Sequence, residues 1–103
     1  MTSLLKITYK QLSVETLPNK DTLLTLDVTV QHLKGTDPFL VNESDFFIWN
    51  NGTKVSAQTT GQHTILREDD IWFLRPLKFE VSSLDNNYEL GLNLLVEVWG
   101  IKE

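Results

Sequence analysis

LLTLDVTVQHL, running from Leu23 to Leu33, alternates apolar and polar residues from Leu24 to Gln31. Leu24, Leu26, Val28 and Val30 fall on one face, and Thr25, Asp27, Thr29 and Gln31 on the other. A period of two is the repeat of extended backbone, and the β-branched residues suit a half-buried pleated surface. The stretch therefore predicts a strand with one face on a core. Tyr88 to Trp99 repeats the pattern: Tyr88, Leu90, Leu92, Leu94, Val96 and Val98 share a face opposite Glu89, Gly91, Asn93, Leu95, Glu97 and Trp99. It reads as a second long strand, and both exceed the usual ~5–6 residues, as central strands of a sandwich do.

Weaker signals fill the chain between and around these two. Leu5, Ile7 and Tyr9 alternate until the phase slips by one so that Leu12 and Val14 carry on, the mark of a bulge or of a strand changing sheets. Phe39 to Val41 and Phe46 to Trp49 are short candidates. Asn50-Asn51-Gly52 follows the second, and Asn-Gly accepts the positive φ angles of a type I′ hairpin turn, with Lys54 to Gln58 as the return strand. Leu77, Phe79 and Val81 alternate with Lys78, Glu80 and Ser82, and Asp85-Asn86-Asn87 turns the chain into its last strand. Pro76, which cannot donate to a ladder, marks an edge or a bulge. Thr59 to Asp70 is polar and reads as a connection between sheets. The expectation is an all-β chain, residues 1–103 forming a single immunoglobulin-like, two-sheet antiparallel β-sandwich of about seven strands.

Composition narrows the function classes. The chain of 103 residues is 41% apolar and 22% charged, ordinary values for one globular domain. With 14 acidic and 9 basic residues it is acidic, with a net charge of −5. The cations are scattered, which argues against nucleic acid as a partner and against an anionic membrane surface. No segment approaches the ~20 apolar residues of a membrane span. The absence of cysteine excludes disulfides, thiol nucleophiles and Cys-ligated metals. No signal peptide is visible at Met1 to Lys6. A full-length chain is expected in the cytoplasm, and a processed fragment outside the cell or on its surface.

LLTLDVTVQHLKGTDPFLVNESDFFIWNNGTKVSAQ, Leu23 to Gln58, resembles the core of a family of small immunoglobulin-like domains of unknown function. That family occurs in secreted proteins and lipoproteins of Gram-positive bacteria and shares a sandwich with a mycobacterial secreted antigen. LKFEVSSLDNNYELGL, Leu77 to Leu92, resembles its penultimate and last strands. Glu68-Asp69-Asp70-Ile71-Trp72 stands where the family usually has a Gly-containing turn, and no lipoprotein cysteine precedes the domain. The resemblance implies a bacterial sandwich and supplies no activity, cofactor or catalytic residue.

The residues themselves give no catalytic, cofactor-binding or metal site. His32 is in phase with the Leu24 to Val30 face and reads as a hydrogen-bonded strand-end histidine; His63, in the polar stretch, reads as exposed. No serine sits in a nucleophile elbow and no histidine pair has metal spacing. Glu68, Asp69 and Asp70 are the densest acidic run, but three consecutive carboxylates do not converge on one calcium ion without a special loop, so a solvated turn is the simpler reading. Asn42-Glu43-Ser44 and Asn51-Gly52-Thr53 match the glycosylation sequon, and each also has a structural explanation at a strand start or a turn.

The tryptophans carry more. Trp99 lies opposite Val96 and Val98, beside Leu95 and followed by Ile101, on a face that a two-layer fold leaves mostly polar. Around Trp49 and Trp72 both faces are apolar. Coverage by loops would absorb this surplus; otherwise Trp99, Leu95 and Ile101, joined by Trp72, form an exposed patch for a partner or a homodimer. The leading expectation is a non-enzymatic module binding another protein, or itself, through a sheet face or edge strand. The alternatives are a carbohydrate-binding sandwich stacking sugars on Trp49, Trp72 or Trp99, and a small intracellular inhibitor or immunity-type protein.

Overall fold

The computed structural model describes residues 5–32, 39–65, 71–74, 76–94 and 97–103. Eleven strands lie among them. In chain order they are β1 (Leu5–Thr16), β2 (Thr22–His32), β3 (Phe39–Asn42), β4 (Phe46–Asn50), β5 (Thr53–Ser56) and β6 (Gln62–Ile65). Then come β7 (Ile71–Phe73), β8 (Leu77–Val81), β9 (Glu89–Asn93), β10 (Glu97–Trp99) and β11 (Ile101–Lys102). A 3-10 turn, Glu43–Asp45, is the one helical element among the described residues. The protein is all-β.

The first sheet is built on β2. It pairs antiparallel with β1 along its whole length, from Leu5↔His32 to Thr16↔Thr22, with the bulge falling between Gln11 and Ser13 where the alternation slips. The other edge of β2 is shared: β7 takes Thr29 to Gln31 and β8 takes Thr22 to Leu26. Pro76 sits between these two edge strands, where its missing N–H costs no ladder bond. β11 lies beside β1 in parallel, through Thr8↔Ile101 and Tyr9↔Lys102.

The second sheet has the order β10-β9-β4-β5, and β3 and β6 form a separate pair. Asn51 and Gly52 take φ of 50° and 76°, so the β4–β5 hairpin closes through the type I′ turn that Asn-Gly favours. The one long strand expected over Tyr88 to Trp99 is instead a hairpin, β9 and β10, paired through Asn93↔Glu97, Leu92↔Val98 and Gly91↔Trp99. β6 lies inside the stretch expected to be a plain connection.

The two sheets are stitched at both flanks. On one side the Ala57 N–H donates to Phe46 O (3.0 Å) in the second sheet and the Gln58 N–H to Lys78 O (2.9 Å) in the first. On the other, the Gly100 N–H donates to Leu90 O (2.8 Å) and the Glu103 N–H to Tyr9 O (2.8 Å), so the chain changes sheets between β10 and β11. Between the sheets lies one apolar cluster. Ile7, Leu24, Leu26, Val28, Val30, Leu77 and Phe79 enter it from the first sheet and Phe46, Ile48, Leu90 and Leu92 from the second. Each large side chain so buried stabilises the fold by about 1.5–3 kcal/mol.

Candidate aromatic face on the second sheet

Residues paired across a ladder point to the same side of a sheet. Because Phe46, Ile48, Leu90 and Leu92 face the core, the register puts Trp99, Gly91, Phe47 and Ser56 in one row on the outer side, with Glu89, Trp49 and Lys54 in the next. Phe47 therefore points away from the core, yet it is only 3% exposed. What buries it is its own face.

Gly91 makes room for this. A Cβ at Gly91 would lie 2.6 Å from Phe47 Cζ, so the phenyl ring rests directly on the glycine backbone. From β10, Trp99 meets the same ring edge to face, with centroids 5.4 Å apart and planes at 81°. From β5, the Lys54 ammonium sits 4.7 Å from the Phe47 centroid and pairs with the Glu97 carboxylate. An exposed cation–π contact contributes about 0.5–1 kcal/mol and a surface ion pair about 0–1 kcal/mol. These contacts do little for overall stability; they bring Trp99 and Lys54 onto the Phe47 ring from the strands on either side. Trp99 and Trp49 each remain 42% exposed above it.

The sequence-derived patch is only partly assembled. Trp99 is on this face, and Ile101, 56% exposed, follows it across the seam on the outer side of β11. Leu95 lies outside the described residues, as does the acidic run Glu68 to Asp70. Trp72 does not join them. It pairs with Val30 on the core side of the first sheet, packs against the core and is half-buried, while its neighbours Ile71 and Phe73 point outward. Phe47, the residue on which the face is built, belongs to the second apolar face that the sequence shows around Trp49 but is not among the patch residues read from it. Its signal was an aromatic on the outer phase of a strand apolar on both sides.

Trp72 belongs to a second cluster. Its indole N–H donates to His63 Nδ1 (2.9 Å), and His63 Nε2 lies 2.8 Å from Glu43 Oε2. Glu43 Oε1 accepts the Gly61 N–H at 3.0 Å, and the glutamate is fully buried. With Nδ1 accepting, the ring proton is assigned to Nε2 and is donated to the carboxylate. His63 is therefore not the exposed loop histidine expected: β6 carries it inward to clasp β7 to the 3-10 turn. His32 closes β2 opposite Leu5. No group of three or more His, Asp or Glu side chains is placed to hold a metal among the described residues.

No family model matches the chain, and no match to it was found among curated proteins or solved structures.

Proposed function

We propose that this domain is a non-enzymatic binding module whose partner is another protein, engaged through the outer face of β10-β9-β4-β5 with Trp99 as its anchor. The observation that carries the reading is the seat of Trp99 on Phe47. A large aromatic ring is held half in solvent, on a ring that is itself buried and that carries the Lys54 ammonium, paired with Glu97, beside it. Interfaces draw most of their affinity from a few such aromatics, and a side chain already ordered loses less entropy on binding. Trp49, 42% exposed on the same side of β4, extends the apolar area along that face. The resemblance to small immunoglobulin-like domains is part of the same proposal, since two stitched sheets with an aromatic outer face suit a module that presents a surface. Capture from extracts of the native host, at low and high salt, tests it. Wild type retains its partner at high salt and Trp99→Ser loses it with little change in Tm. Capture undiminished by Trp99→Ser contradicts the proposal.

A second reading takes the same face as a carbohydrate site. Two equally exposed indoles, Trp49 and Trp99, share it with the carboxylate of Glu89 and the amide of Asn93. Glycan-array binding lost in both Trp49→Ala and Trp99→Ala supports it; no binding to any glycan removes it.

A further inference from the structure

The dipeptide that makes the β4–β5 turn also makes it chemically labile. Asn51 and Gly52 sit exposed at the hairpin tip. Nothing lies within 4 Å of the position a Gly52 Cβ would occupy, so apart from its chain neighbours no residue crowds that side of Gly52. Hairpin tips open locally at little free-energy cost. The other asparagines, Asn19, Asn42, Asn50, Asn86, Asn87 and Asn93, all precede residues whose side chains crowd that nitrogen.

We propose that Asn51 is a site of spontaneous deamidation in the folded protein. The Gly52 nitrogen gives its proton to base and attacks Asn51 Cγ. The N–Cγ bond forms, the Cγ–Nδ2 bond breaks, and the amide nitrogen takes a proton and leaves as ammonia. Water then opens the cyclic imide at either carbonyl, giving aspartate or, where the main chain now runs through the former side-chain carbonyl, isoaspartate. Nothing is oxidised or reduced, and water is the only co-reactant.

The consequence follows from the contacts of Asn51. Its Nδ2 donates to Ser83 O at 3.1 Å and its backbone N–H to Asp85 Oδ2 at 3.4 Å. A carboxylate cannot donate to Ser83 O, and it puts a second negative charge beside Asp85. Isoaspartate also lengthens the two-residue turn by one methylene. Asn50 still holds the hairpin, donating to Ser83 O (3.0 Å) and accepting from Asp85 N (2.7 Å), so the loss is partial. The next pair inward is Trp49↔Lys54, so the change reaches the end of the aromatic face.

The test holds the whole chain at mildly alkaline pH, digests it at intervals and weighs the peptides. The peptide carrying Asn50 and Asn51 gains roughly one dalton, as –NH2 becomes –OH, faster than every other asparagine peptide, with isoaspartate among the products. The gain disappears in Asn51→Gln, and Asn51→Asp lowers Tm as ageing does. Conversion no faster than at the other asparagines, or a gain that persists in Asn51→Gln, overturns the proposal.

Discussion

β2 and β4 are each an inner strand of one of the two sheets, and they treat their outward faces differently. In β2 the inward residues Leu24, Leu26, Val28 and Val30 are fully buried, and beyond Leu23 the outward residues are Thr25, Asp27, Thr29 and Gln31. In β4 the inward residues Phe46 and Ile48 are equally buried, but the outward residues are Phe47 and Trp49. The core needs only the inward set. An apolar side chain on the outside of a strand is therefore a separate expenditure of hydrophobic surface, and on β4 it is arranged: Gly91 beneath Phe47, Trp99 against it, Lys54 over it.

Substitutions that break this contrast should rank by which side of the strand they touch. The largest effect is on the core side. Phe79→Ala and Phe46→Ala should each lower unfolding free energy by about 3–5 kcal/mol in denaturant melts, since both side chains are fully buried. Thr29→Ala, on the outer side of β2, should stay within about 0.5 kcal/mol. Equal losses from Thr29→Ala and Phe46→Ala would erase the distinction.

Gly91→Ala comes next. The added methyl must displace the Phe47 ring, because the 2.6 Å approach is to that ring and the glycine lies in the middle of the sheet. A loss of about 1–3 kcal/mol is expected, with a change in Trp99 fluorescence as its seat moves. Full stability with an unchanged spectrum would mean that Phe47 has somewhere else to go.

A smaller, pH-dependent effect sits in the seam between the sheets. Tyr9 and Tyr88 are buried there with rings 6.3 Å apart, and Tyr88 Oη donates to Gln11 Oε1 at 2.9 Å. Burial raises both phenols above their ordinary value of 10.0. The folded chain thus holds these protons more tightly than the unfolded one. Their contribution is complete below pH 10.0 and is lost as pH rises through the raised pKa values. Tyr88→Phe should flatten the fall of Tm with alkaline pH, and an unchanged slope would place the seam's sensitivity elsewhere.

Local pattern made much of this legible. The β2 face, the slip in β1, the Asn51-Gly52 turn, the Asp85 turn and the alternation of β8 are each written in a few adjacent residues, and each is where the pattern puts it. The β9–β10 hairpin was hidden by parity. An odd number of residues separates Asn93 from Glu97, so paired residues keep the same alternation phase and the pattern runs through the turn as though the strand were straight. β6 was hidden by composition: in Gln62-His63-Thr64-Ile65 only Ile65 is strongly apolar, and its partner β3 is distant in sequence. The Glu43–His63–Trp72 clasp joins residues that share no local motif and meet only once β6 and β7 are in place. Trp99 and Ile101 were found because an apolar residue on the wrong phase is a local anomaly. Phe47 shows in the sequence only as part of the apolar second face around Trp49; its central place does not, because what covers it comes from β5 and β10.

The outer side of the first sheet offers a rival to the aromatic face. Phe73 on β7 is 76% exposed, more than Trp99 at 42%, with Ile71 beside it. Exposure alone would favour Phe73, whereas a pre-arranged ring favours Trp99. Partner capture by wild type, Trp99→Ser and Phe73→Ser, compared at matched Tm, separates them. Loss of capture in Trp99→Ser with retention in Phe73→Ser is the predicted result; retention in Trp99→Ser with loss in Phe73→Ser would contradict it.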